Sequence, residues 1–135
     1  MLATLQTPEQ LRLNVLSRRI IGAAMRVHTA LGCGLLESAY EACLAYELVE
    51  DGLHIQSQVP LPLVYRTVRL ECLYRMDVLV EDSIILELKT VDAILPVHEA
   101  QLLSYLKLSD KRLGLLLNFH AEHLRDGIRR VVNDF

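Results

Sequence analysis

The chain has 135 residues, the length of a single domain with one core spanning 1–135, and 52% of them are hydrophobic. No apolar run approaches the roughly 18 residues a bilayer span needs, so no membrane segment is expected. A formal charge of −3 and only 5% aromatics exclude a basic phosphate-gripping coat and a long platform of stacked aromatic rings for single-stranded nucleic acid.

The three cysteines, Cys33, Cys43 and Cys72, form no CxxC pair, and their odd number argues against a disulfide framework. Reduced thiols fit a cytoplasmic protein. Met1 to Gln10 lacks the basic start and apolar stretch of a secretory leader. The high apolar fraction in so small a chain suggests surface covered by a partner, and a homodimer is expected.

Thr7-Pro8-Glu9-Gln10 predicts a helix start, with Thr at the cap, Pro first in the helix and Gln three residues after the cap. Leu13, Leu16, Ile20, Ala24, Val27 and Leu31 follow at helical spacing, and Gly32-Cys33-Gly34 ends the run. A second helix is predicted from about Leu36 to Glu50, with Ala39, Cys43, Leu44, Tyr46 and Leu48 on its apolar sides and Gly52 just past its end. From His54 the pattern becomes that of short strands: Ile55–Val59, Leu61–Tyr65, Val68–Cys72, Tyr74–Val80 and Ile84–Lys89. Pro60 and Pro62 place the early strands at an edge. A helix is predicted from Val97 to Leu108, a buried strand from Leu113 to Phe119, and a last helix from Ala121 to Val132 with Leu124, Ile128 and Val131 on one face. The order implies an α/β fold, a mixed sheet covered by helices.

The chemistry concentrates in Tyr74-Arg75-Met76-Asp77 and Glu87-Leu88-Lys89. Residues two apart on a strand share a face, so Glu87 and Lys89 project together while Ile84, Leu86 and Leu88 project oppositely. If Glu81-Asp82-Ser83 is a three-residue loop, Val80 pairs with Ile84 and Asp77 falls opposite Glu87, with Cβ atoms about 4.5–5.5 Å apart. Carboxylates that close repel unless a cation joins them, and a hard divalent ion such as Mg²⁺ meets that need. Lys89 alongside suits holding an attacking water or stabilising phosphate charge. A hairpin in which Lys89 simply pairs with Glu87 or Asp77 has the same local pattern, and the segment alone does not separate the two.

Gly34-Leu35-Leu36-Glu37-Ser38-Ala39-Tyr40 matches the signature GxxExxY. With Gln58-Val59-Pro60-Leu61-Pro62, the Tyr74 to Glu81 segment, Glu87-Leu88-Lys89, Pro96 to Leu106 and Leu115 to Phe119, the chain resembles the bacterial GxxExxY family of the PD-(D/E)XK nuclease superfamily. The resemblance covers roughly residues 15 to 133. It implies a restriction-endonuclease-like fold with an αβββαβ core, and Mg²⁺- or Mn²⁺-dependent phosphodiester hydrolysis of nucleic acid, DNA above all. By the same resemblance Glu37, Asp77 and Glu87 would bind metal and Lys89 would orient the nucleophile. Gln101 and Tyr105 match a QxxxY element that supports the site or contacts substrate; at i and i+4 they share a helical face. Met76 stands where the superfamily name has Pro, a position that supplies no ligand.

Other readings remain. The same fold without catalysis would serve nucleic-acid binding or protein assembly, and a small-ligand protein is disfavoured because no glycine-rich phosphate loop is present. Glu37 alone would be an ordinary helix-start acid. Gly34 and Tyr40 read as a turn glycine and a core aromatic, and His98 as a helix-start residue. His120 and His123 lack the partners of a zinc site. Arg125, Arg129 and Arg130 on the last helix read as a solvated basic face, and are also the best candidates for phosphate contacts outside the site.

Overall fold

The computed structural model describes residues 5–135. Helix α1, Pro8–Leu31, starts on a capping box: Gln10 N donates to Thr7 Oγ1 at 3.1 Å and Thr7 N donates to Gln10 Oε1 at 2.9 Å. Leu13, Leu16, Ile20, Ala24 and Val27 form its buried stripe. Gly32, at φ 70°, takes a conformation that side chains resist and ends the helix. Helix α2, Glu37–Glu50, buries Tyr40, Leu44 and Leu48. Tyr46, expected on an apolar side, is 65% exposed. The 40–44–48 stripe defines the inner face, and two residues on from Leu44 the helix has turned about 200° away from it.

The sheet has five strands, β1 (Ile55–Tyr65), β2 (Val68–Val80), β3 (Ile84–Lys89), β4 (Leu113–Asn118) and β5 (Ile128–Val132), in the spatial order β1-β2-β3-β4-β5. Only β3 and β4 run parallel. Helix α3, Pro96–Ser109, is the crossover that a parallel pair requires. Helices α1 and α2 cover one face of the sheet through a core that includes Ile84, Leu86, Leu88, Leu115 and Leu117. Helix α3 covers the other with Leu102, Tyr105 and Leu106 against Leu79, Ile85 and Leu116. This mixed sheet between helices is the expected restriction-endonuclease-like fold class.

Three expectations are corrected. The four short strands before Val80 are two long ones: Pro60 and Pro62 lie within edge strand β1, where a missing N–H can face outward, and the register only shifts between Leu61 and Leu63. Strand β2 likewise runs unbroken from Val68 to Val80. The last helix is instead a 3-10 turn, Leu124–Gly127, followed by β5, which pairs antiparallel with β4 from Leu117–Ile128 to Leu113–Val132. Ile128 and Val131 each fit a strand, one toward each face of the sheet, and β-branched Ile, Val and Val favour that state.

Gly127 makes the turn possible, because a Cβ there would lie 2.6 Å from Asn118 O. Gly127→Ala should therefore destabilise the fold by about 1–3 kcal/mol. A urea midpoint equal to the wild type's would contradict that close approach. The basic face expected of the last helix is also lost. Arg130 donates to Asn14 Oδ1 at 2.8 Å and lies 4.8 Å from the centroid of the Phe135 ring, while Arg129, its neighbour on the strand, donates to Asp126 O and Ile128 O. Adjacent strand residues point to opposite faces, so the two do not form one patch.

Candidate active site

The loop Glu81-Asp82-Ser83 joins β2 to β3 as a three-residue connection, and Val80 pairs with Ile84. Glu81 and Asp82 both take φ 51°, which lets the chain reverse there. The ladder continues through Leu79–Ile85 to Val78–Leu86 and stops. Asp77 and Glu87, next in register, are not paired through their backbones. Instead Asp77 Oδ2 accepts a hydrogen bond from Leu88 N at 2.9 Å, so a side chain takes the place of a ladder bond.

The other side of β2 is irregular at the same point. Ser57 pairs with Val78 and Val59 with Met76, but Gln58, at φ 53°, breaks the ladder between them opposite Asp77. Met76 and Leu79 pack in the same α3-side core although they are three residues apart, so the alternation of β2 slips at Asp77. That slip delivers the Asp77 carboxylate to the mouth between β2 and β3, within electrostatic reach of both α2 and α3.

Glu87 lies there, 4% exposed on a strand that is apolar apart from it and the terminal Lys89. Its Oε1 is buried and has no hydrogen-bond partner. Burial raises its carboxyl from the ordinary 4.5 to about 9, assisted by a hydrogen bond to the Asp77 carboxylate and by the charge of Asp77, while Lys89 pulls the other way. A burial this costly in a central strand marks a functional candidate rather than a packing choice.

Lys89 is half-buried at the end of β3, and no ion pair involving it occurs among the described residues. The salt-bridged hairpin is therefore not what forms. Asn118, paired with Lys89 in register, fixes the chain beyond it. Its side chain donates to Val91 O at 2.9 Å and accepts from Val91 N at 3.1 Å and His120 N at 3.3 Å, and Phe119 N donates to Lys89 O at 2.9 Å.

Glu37 opens α2, and its carboxyl is raised first by partial desolvation and then by the charge of Asp77, with Lys89 opposing. Tyr40 sets this entry: its hydroxyl donates to Gly32 O at 2.6 Å and accepts from Leu35 N at 3.2 Å, and its buried ring stacks on Phe119 at 4.7 Å. The core-aromatic reading of Tyr40 holds. Glu41, one turn after Glu37, was missed in the sequence although its i+4 spacing puts it on the same helical face. Desolvation raises its carboxyl, the bond from Gln58 lowers it, and Asp77 raises it again. Gln58 Nε2 donates to both Glu41 oxygens, at 2.9 and 3.1 Å.

On the α3 side, the Tyr105 hydroxyl is raised by burial and then by Glu87 and Asp77. Gln101 is exposed and lines a neighbouring groove with Leu63, Tyr74, Ser104, Tyr105 and Leu108. His98 accepts from Leu95 N at 2.9 Å through Nδ1 and so caps the start of α3. His120 lies 3.5 Å from Asp92. Cys33 and Cys43 are free thiols, and the side chain of Cys72 lies outside the described residues.

Among the described residues, no three His, Cys, Asp or Glu side chains are gathered closely enough to hold an ion by themselves. The donor set of Asp77 and Glu87 nevertheless fits a hard cation, since Mg²⁺ is commonly held by one or two carboxylates with water and substrate oxygens completing its shell. The partnerless Glu87 Oε1 is the atom such an ion would satisfy. No helix among the described residues is long and apolar enough to cross a membrane.

Comparison with curated proteins and with solved structures gives no significant match. A family model described as the PD-(D/E)XK nuclease superfamily matches residues 14–131, which takes in α2, the β2–β3 mouth, Lys89 and α3. An aspartate at the break in β2, a buried glutamate and a lysine two residues on, carried on a sheet of this class, agree with that match, and the chain belongs to the PD-(D/E)XK nuclease superfamily.

Proposed function

We propose that the chain is a divalent-metal-dependent nuclease of the GxxExxY family that hydrolyses phosphodiester bonds in DNA. The observation that carries this reading is the buried Glu87 carboxyl, with one partnerless oxygen, beside Asp77 and two residues before Lys89. Asp77 and Glu87 would hold Mg²⁺ or Mn²⁺, with Glu37 completing the shell through water. When bound, the ion supplies Lewis acidity, which activates water and neutralises phosphate charge.

The chain's own residues do the rest. Leu88 N fixes the Asp77 carboxylate in place. Lys89, free of an internal carboxylate partner among the described residues, holds the attacking water against the phosphate and stabilises charge as it develops. Tyr105 walls the site on the α3 side, and Gln101 contacts the substrate beyond it. Residues 1–135 act as one domain in this reading. Exposed Val64, Tyr65 and Leu73 on the β1–β2 hairpin provide apolar surface for a homodimer in which two sites address two strands. A monomeric mass by light scattering at tens of micromolar would remove the dimer.

The competing reading, a catalytically inactive module for nucleic-acid binding or assembly, draws on the failure of Glu37, Asp77 and Glu87 to close into one cluster. Incubation of plasmid, linear duplex, single-stranded DNA and RNA with Mg²⁺, Mn²⁺ or EDTA separates the two. The nuclease should cut DNA in a divalent ion and not in EDTA, and Asp77→Asn should lose the cutting. Wild type indistinguishable from Asp77→Asn on every substrate would leave the inactive module.

A further inference from the structure

Beside the carboxylates lies a groove of about 370 Å³ between α3 and the β1–β2 hairpin, lined by Leu63, Tyr74, Gln101, Ser104, Tyr105 and Leu108. Tyr74 stands on β2 opposite Leu61, three residues before Asp77. Its ring centroid is 5.9 Å from that of Tyr105, with the planes inclined at 60°. Tyr105 is almost fully buried and Tyr74 is 38% exposed, so one ring is fixed and the other presents itself to the groove. Tyr105 joins the two places: its ring lines the groove, and its hydroxyl is within electrostatic reach of Glu87 and Asp77.

We propose that this groove binds a single unpaired base next to the phosphate being cut, with Tyr74 as the stacking surface and the Gln101 amide reading the base edge. The proposal rests on the nuclease reading and narrows its substrate to DNA with an unpaired nucleotide at the cleavage point, as in an overhang, flap or gap.

Chemistry and size select the occupant. An aromatic face, apolar walls and an amide able both to donate and to accept match a nucleobase, which has a flat π-face and a hydrogen-bonding edge. The volume falls at the low end of small-ligand sites and suits one base rather than a run. The scarcity of aromatics in the chain agrees with a single stacking position. A base inside an intact duplex is already stacked on both faces, so Tyr74 reaches only one that is unpaired or readily extruded.

The test uses an oligonucleotide duplex with 2-aminopurine either in a three-nucleotide overhang or paired within the blunt form, bound in Ca²⁺, with cleavage of overhang, flap and plasmid DNA in Mg²⁺ followed in parallel. The overhang probe should be quenched on binding and should bind more tightly than the blunt one. Tyr74→Leu, which keeps apolar bulk but removes the ring, should lose the quenching and bind the overhang about 10-fold more weakly, whereas Tyr74→Phe should keep both. Unchanged fluorescence with equal affinity for the two probes overturns the base site. If any of these DNAs is still cut, the nuclease reading survives that result; if none is, both fall. Quenching that Tyr74→Leu abolishes, without cleavage of any DNA, keeps the base site and removes the hydrolysis.

Discussion

Glu87→Gln should make the metal-free protein more stable above neutral pH while removing its cleavage of DNA. The folded-state carboxyl sits at about 9 against an ordinary 4.5. A group raised on folding contributes stability that is fully present below about 4.5 and is lost as pH rises toward about 9, because the unfolded chain releases the proton earlier. Each unit of that window is worth about 1.4 kcal/mol, so between pH 5 and 7 the metal-free wild type should lose on the order of 2 kcal/mol. Glutamine resembles the protonated glutamate: it carries no charge to desolvate and its amide can donate to the Asp77 carboxylate. The variant's melting temperature should exceed that of wild type by roughly 10 °C or more at pH 7 to 8 and vary less across this window. Thermal melts in EDTA from pH 5 to 9 check it. A variant less stable than wild type at pH 8, with the same pH slope, would mean that folding does not raise the Glu87 carboxyl.

Lys89→Ala should lower the cleavage rate by about 10²- to 10³-fold, the typical loss when one preorganised donor to developing oxyanion charge is removed. Because no ion pair of Lys89 occurs among the described residues, its loss should leave the melting temperature nearly unchanged. Single-turnover rates read the first effect and melts the second. A clear fall in stability together with unchanged cleavage would make Lys89 a structural residue.

Local signals made much of this arrangement legible. Thr7 and Gln10 fixed the start of α1 because a capping box is complete within four residues. The loop 81–83 and the parity of Glu87 and Lys89 followed from one hairpin. What failed depended on contacts distant in sequence. Leu124, Ile128 and Val131 recur at helical spacing, yet Gly127 packs on the Asn118 backbone and Ile128 finds its partner in Leu117. Tertiary pairing there overrides a periodicity of only three residues.

The site divides in the same way. That Asp77 and Glu87 meet could be read from the hairpin, but the slip at Gln58 and the end of the ladder at Val78 could not. The first belongs to the pairing of β2 with β1, some twenty residues earlier, and the second to the Asp77 side chain taking the Leu88 N–H from the β2–β3 ladder. Glu41 escaped notice because an exposed helix acid is commonplace until Gln58 and Asp77 are seen to face it. Gln101 shares its helical face with Tyr105, as the i, i+4 spacing implies, and both line the groove beside α3.

Calorimetric titration of Mn²⁺ into wild type and Glu87→Gln, at pH 7 in two buffers of different ionisation enthalpy, bears most directly on the Asp77–Glu87 pair as a metal site. A cation on a carboxyl held near 9 must displace its proton, so wild type should bind with release of about one proton per ion and with affinity rising up to tenfold per pH unit below 9. Glu87→Gln should bind far more weakly and release none. Wild type that binds no Mn²⁺, or binds it without proton release and no better than Glu87→Gln, would contradict a metal centre at this pair.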